Sequence, residues 1–259
     1  MPDVGNKMTG QRRDSAGNTL VVAISVSFVC SLLVASTAVL LKPKQLENAE
    51  RYRQEIILEV AGLYEPGADV ESLFANIEVR NVNLADGKYV DPLEAAETAA
   101  DVVIPAEFDL AQLHRRSGHA TVYILRANGA IDQVILPVYG AGLWSTIYGY
   151  LAVAGDGSTI RGLRFYEHGE TPGLGDRIDD AGWRAQWSGK QIYDERGLSR
   201  IEVARGRVQP GDAAAYQVDG ISGATLTGRG VTNLIRYWTG PHGFGPYLAR
   251  IRDESDGTE

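Results

Sequence analysis

Residues 121–138 read TVYILRANGAIDQVILPV. Thr121 to Leu125 is β-branched and aromatic, and Ile131 to Val138 repeats that character. Between them stands Asn128-Gly129, a two-residue turn signal that joins antiparallel strands. This predicts a hairpin at the centre of an antiparallel sheet. Working outward, Tyr148–Ala154 is another apolar run, closed by Gly155-Asp156-Gly157-Ser158. Thr159–Tyr166 and Ile201–Val208 also read as strands. Near the end, Val231, Leu234, Ile235 and Trp238 fall at i, i+3, i+4 and i+7, the stripe of an amphipathic helix. Towards the front, Lys44–Leu63 reads as a helix ended by Gly62 and Pro66-Gly67. Asp69–Asn76 follows as a short helix with Asp69 as N-cap, and the Ala- and Glu-rich Asp91–Asp101 is a third. The expected fold class is α+β, a mixed body of helices and antiparallel sheet, with no repeat to divide it.

One segment stands apart. Thr19 to Leu41, TLVVAISVSFVCSLLVASTAVLL, is 23 residues without a charge. As a helix it is about 34 Å long, enough to cross a hydrocarbon core of about 30 Å. It exceeds the apolar run of a cleaved signal peptide, and Ser36-Thr37-Ala38 is a weak cleavage site. A single retained transmembrane helix is expected, with Pro43 marking its exit. Lys7, Arg12 and Arg13 precede it, whereas Lys42, Lys44, Arg51 and Arg53 follow, so the positive-inside rule does not choose an orientation. A lone span without an ionisable residue offers no ion path.

The chain has 259 residues and a net charge of −8. The first 42 residues hold four basic and two acidic side chains, leaving 21 basic and 31 acidic in the rest. An acidic body argues against nucleic acid as a partner. The single cysteine, Cys30, and four scattered histidines give no metal-ligand spacing, so no metal site is expected. His168 reads as a surface histidine. The ending Arg252–Glu259 reads as a charged, frayed terminus.

Three glycine-rich stretches remain for chemistry: Tyr139–Ser145 (YGAGLWS), His168–Gly175 (HGETPGLG) and Asp219–Thr227 (DGISGATLT). None is a P-loop or a dinucleotide fingerprint, so no NADH site is expected in this chain. Each is open to a plain reading as a surface loop. The third ends where the apolar stripe begins, which puts Thr225 near a helix N-terminus, where unpaired N–H groups favour an anion. From the residues alone, Thr225 or Thr227 is equally an N-cap. Trp144 is equally a core tryptophan.

Asp219-x-x-Ser222-Gly223-Ala224-Thr225 resembles the flavinylation motif of the FMN-binding domain family. The whole chain, through its one N-terminal span, its length, Gly142-Leu143-Trp144-Ser145 and Glu170-Thr171-Pro172-Gly173-Leu174-Gly175, is similar to the C subunits of sodium-translocating NADH:quinone oxidoreductases. The G subunits of Rnf-type electron-transport complexes share the acceptor motif and are the alternative, together with a non-catalytic anchored binding or assembly module and a non-covalent flavin reductase. The resemblance implies FMN joined through its phosphate to Thr225 by a flavin transferase, an electron relay from NADH towards ubiquinone, and membrane subunits as partners. It further implies a bacterial inner-membrane protein with residues 1–18 cytoplasmic, 19–41 spanning and 43–259 a periplasmic FMN-binding domain. On that reading Trp144 and Leu174 contact the flavin ring, Glu170 and Thr171 meet its pyrimidine edge, and Ser222 and Gly223 bond the phosphate. Ala224 leaves space at the acceptor, Asp219 orients the loop or binds a metal used during transfer, and Gly175 closes the Glu170 stretch.

Overall fold

The computed structural model describes residues 16–97 and 100–256. The described residues fall into two units, divided between Arg51 and Tyr52. The elements in chain order are α1 (Ala16–Val60), α2 (Val70–Phe74), β1 (Glu78–Asn83), β2 (Tyr89–Val90), α3 (Pro92–Glu97), β3 (Asp101–Val103) and β4 (Arg115–Ser117). There follow β5 (His119–Ala127), β6 (Ala130–Ala141), β7 (Thr146–Ala154), β8 (Ile160–Glu167), α4 (Ala181–Ala185), β9 (Glu202–Val203), β10 (Gln217–Val218), α5 (Thr225–Thr239) and α6 (Gly245–Asp256).

Six strands form the main sheet in the order β2-β1-β5-β6-β7-β8, with every neighbouring pair antiparallel. Its centre is the expected hairpin. Ala127 pairs with Ala130, and the intervening Asn128 and Gly129 have φ of 53° and 87°. Both turn positions need the left-handed region, which explains why Asn and Gly occupy them. In β6, Val134, Ile135 and Leu136 are all fully buried. The strand is therefore covered on both faces and reads as a continuous apolar run. Val134, Leu136 and Val138 pack with Val231, Leu234 and Trp238 of α5. Ile135, with Tyr123, Tyr150 and Ala152, packs beneath Ile56, Ile57 and Val60 from the last turns of α1. The body is thus a sheet between two helical layers.

Several expectations need correcting. The helix expected from Lys44 does not start anew after Pro43: α1 runs through Pro43 to Val60. Proline removes one backbone donor, and the helix-forming residues on either side carry the helix past that loss. Among the described residues α1 is the one helix long and apolar enough to cross a membrane. The third helix is only Pro92–Glu97, and Asp101 opens a strand; residues 98 and 99 lie outside the described residues. Of Ile201–Val208 only Glu202 and Val203 form a strand, paired in parallel with Gln217 and Val218. Of the ending read as frayed, Arg252 to Asp256 belongs to α6, and residues 257–259 lie outside the described residues.

Candidate functional site

The three glycine-rich stretches converge on one buried carboxylate. Glu170 is 4% exposed. Its Oε1 accepts the backbone N–H groups of Leu143 and Trp144 at 2.8 and 3.2 Å. Its Oε2 accepts the hydroxyl of Thr227, in the first turn of α5, which is itself buried. One side chain thereby ties the β6–β7 connection to the segment after β8 and to the start of α5. Burial of a charge is tolerated because three donors replace its water. Glycines make the approach possible. A Cβ on Gly175 would lie 2.8 Å from the Thr227 Oγ1 and 2.9 Å from the Glu170 Oε2, and one on Gly142 would collide with the Glu170 Oε1.

Trp144 is not a core tryptophan. It is 70% exposed, and its Nε1 donates to the Thr171 hydroxyl at 2.9 Å. Ser145 Oγ accepts the Gly169 N–H at 2.6 Å, a second tie between the same two segments. His168 is not a surface residue either. Its side chain is 12% exposed, its Nε2 lies 2.9 Å from Asp179 Oδ2, and its Nδ1 accepts the Glu170 N–H at 3.2 Å. The Glu170 backbone is therefore tied as well as its carboxylate.

The loop Asp219–Ala224 follows β10. Asp219 Oδ1 accepts the Val208 N–H at 2.7 Å, its own N–H donates to Gln186 Oε1 at 2.9 Å, and its carbonyl accepts from Trp183 Nε1 at 2.8 Å. Ser222 and Gly223 are exposed, and Gly223 has φ of +77°, a conformation that favours glycine. A Cβ there would lie 2.8 Å from the Leu174 Cδ2, so Leu174 rests over the loop while remaining 43% exposed. Ala224 is buried and occupies the N-cap of α5, where it supplies no side-chain hydrogen bond. Neither Thr225 nor Thr227 caps the helix. Thr225 is its first residue and is exposed.

This arrangement presents a free hydroxyl at an uncapped helix N-terminus, where N–H groups and the helix dipole attract an anion. Leu143, Trp144, Leu174 and Leu226 are exposed as well. Sequence reasoning missed the junction at Glu170 and three exposed arginines, Arg205, Arg207 and Arg229, near the Asp219–Ala224 loop. Only Arg229 left a local signal, four residues after Thr225.

Residues 142–240, which contain the three converging segments, match the family described as FMN-binding domain. The chain is 44% identical over 254 residues to the C subunit of the Na(+)-translocating NADH-quinone reductase of Pseudomonas aeruginosa, covering 93% of this chain and 97% of the relative. It is 42% identical over 257 residues to the corresponding protein of Yersinia pestis, covering 94% and 96%. The crystal structure of Shewanella oneidensis NqrC superposes with a TM-score of 0.71 at 33% identity, covering 80% of this chain and 99% of the other. The chain belongs to the family of Na(+)-translocating NADH-quinone reductase C subunits.

Proposed function

We propose that this chain is an electron-relay subunit of a sodium-pumping NADH:quinone oxidoreductase, carrying FMN joined through its phosphate to Thr225. The observation that carries the reading is the exposed Thr225 hydroxyl at the first position of α5, with no side chain capping the helix. A phosphate on that oxygen meets the N–H groups of the first turn. The small Gly223 and Ala224 leave the backbone open to a phosphate and to a modifying enzyme. Ser222 and Gly223 supply further donors beside it.

The residues present fit the rest of the cofactor. Trp144 and Leu174 offer exposed aromatic and aliphatic faces to the ring, and neither is needed to fill the core. Thr171 holds Trp144 by its indole N–H, and Glu170 holds the Trp144 backbone. Glu170 therefore positions the ring-facing segment and, being buried, leaves the pyrimidine edge to backbone groups and Thr171. Asp219 keeps the acceptor loop in register through Val208. FMN supplies the redox chemistry, accepting and passing on electrons; the chain supplies binding and orientation.

On this reading residues 19–41 anchor the chain in the bacterial inner membrane, residues 1–18 are cytoplasmic, and residues 43–259 form the periplasmic FMN-binding domain. A flavin transferase loads Thr225 there, and electrons pass between this subunit and its membrane partners on the way from NADH to ubiquinone. The test is whether flavin survives denaturation. The full chain co-expressed with a flavin transferase should show flavin fluorescence in a denaturing gel at its own mass. Release of all flavin on denaturation would replace the covalent reading with non-covalent binding.

A further inference from the structure

Two clefts flank the acceptor loop. The first, about 450 Å³, is lined by Ala224, Thr225, Gly228 and Arg229 together with Arg205. The second, about 780 Å³, is lined by Asp219 and Ser222 together with Arg177, Arg205 and Arg207. Arg205 belongs to both. The charged groups in these clefts divide into two kinds. Arg236 is committed to the fold: it meets Glu202 at 3.0 Å and the carbonyls of Ile201 and Arg200 at 2.8 and 3.1 Å. Arg177 pairs with Asp180 at 3.1 Å. Arg205, Arg207 and Arg229 are exposed, and among the described residues their guanidinium groups have neither an ion pair nor a hydrogen bond.

Uncommitted arginines at this spot are notable in a body whose acidic residues outnumber its basic ones by ten. Arg229 stands four residues after Thr225 on α5, and such positions share one helix face with Cβ atoms about 5–6 Å apart. Arg205 approaches the same cleft from the segment after β9. Guanidinium groups bind phosphate oxygens through paired, charge-assisted hydrogen bonds.

We propose that Arg229 and Arg205 form a phosphate clamp that acts during the modification of Thr225 and holds the phosphate afterwards. The clamp rests on Thr225 being the acceptor. In the transfer, Thr225 Oγ forms a bond to the flavin-side phosphorus of a flavin dinucleotide as the bridging P–O bond to the adenylate breaks. The adenylate leaves with the bonding pair, and the hydroxyl proton passes to a base of the transferase. The two guanidiniums counter the charge on the non-bridging oxygens of the transferred group, as arginine clamps do elsewhere. After transfer they face the single negative charge of the phosphodiester. Arg207 lines only the second cleft, which makes it the charge-matched control.

The test uses the full chain in detergent with a flavin transferase, magnesium and flavin dinucleotide. Covalent incorporation is followed by intact mass, and the loaded chain is then freed of transferase for ³¹P NMR. Arg229→Gln and Arg205→Gln should each slow incorporation about tenfold, the loss of roughly one charge-assisted contact. Arg229→Lys should recover part of that rate, and Arg207→Gln should stay within about twofold of wild type. The phosphodiester resonance should move in the two clamp variants and not in Arg207→Gln. Unchanged rates in the clamp variants, or an unmoved resonance, would overturn the clamp. An equal slowing by all three arginine variants would do so too, and would make the patch a docking surface for an acidic partner. A wild-type chain that takes no flavin overturns the acceptor reading itself, and the clamp with it.

Discussion

The sheet core and the rim around the Glu170 junction obey opposite rules. In the core, apolar side chains are buried on both faces of β6, and the contacts on either side account for each of them. At the rim, Leu143, Trp144, Leu174 and Leu226 stand in solvent, while the polar Glu170 and Thr227 beneath them are buried. The core is organised by removal of apolar area from water, the rim by hydrogen bonds to one carboxylate. Under the proposed function, these exposed apolar groups are the faces offered to the flavin ring.

That contrast can be broken or sharpened by substitution. Leu151, fully buried in β7, should show the largest effect: Leu151→Ala should cost about 2–5 kcal/mol in urea unfolding of the full chain in detergent. A cost below about 1 kcal/mol would mean the core is looser than its burial implies. Glu170→Ala leaves two backbone N–H groups and the Thr227 hydroxyl unpaired, and should cost about 2 kcal/mol in the same assay. Glu170→Gln should recover part of this, since the amide oxygen still accepts.

Asp156, in the turn after β7, gives a pH-dependent case outside both regions. Burial pushes its carboxyl upward, but hydrogen bonds from the Thr159 hydroxyl and from the Thr159 and Ser158 N–H groups outweigh that and hold it below the usual carboxylate range. A depressed folded-state value means the contribution is present above the unfolded value of about 4 and is lost as pH falls through the folded one. Asp156→Asn should therefore destabilise at neutral pH by no more than about 0.5 kcal/mol, since solvent screens this exposed carboxylate, and by less as the medium becomes strongly acid. A pH-independent difference would contradict this. Trp144→Ala should show the smallest effect on stability, within about 0.5 kcal/mol, while changing the environment of bound flavin. A cost above about 2 kcal/mol would make Trp144 a fold residue and erase the contrast.

The two regions also differed in how far they could be read from sequence. The β5–β6 hairpin was legible because its turn chemistry is local, and α5 because its stripe is periodic. β1 was missed: in Glu78–Asn83 only Val82 is buried, so the alternation that marks a strand is faint. Ile201–Val208 looked like a longer strand because Ile201 and Val203 flank the polar Glu202, yet from Arg205 onward the chain turns to meet the Asp219 loop, where Val208 donates to Asp219. The place of Thr225 at the head of α5 was legible, because it stands just before the periodic stripe. The role of Glu170 was not, because its partners lie 26 to 57 residues away in sequence. The exposure of Trp144 and the burial of His168 were hidden for the same reason: each is set by a contact with another loop.

The central claim is that Thr225 carries FMN through its phosphate. Peptide mass analysis of the denatured full chain, co-expressed with a flavin transferase as wild type and as Thr225→Ala, addresses it most directly. One FMN phosphoester is expected on the Thr225 peptide of the wild type and none on the variant. Covalent flavin on the Thr225→Ala chain, or a wild type with no covalent flavin beside an active transferase, would contradict it.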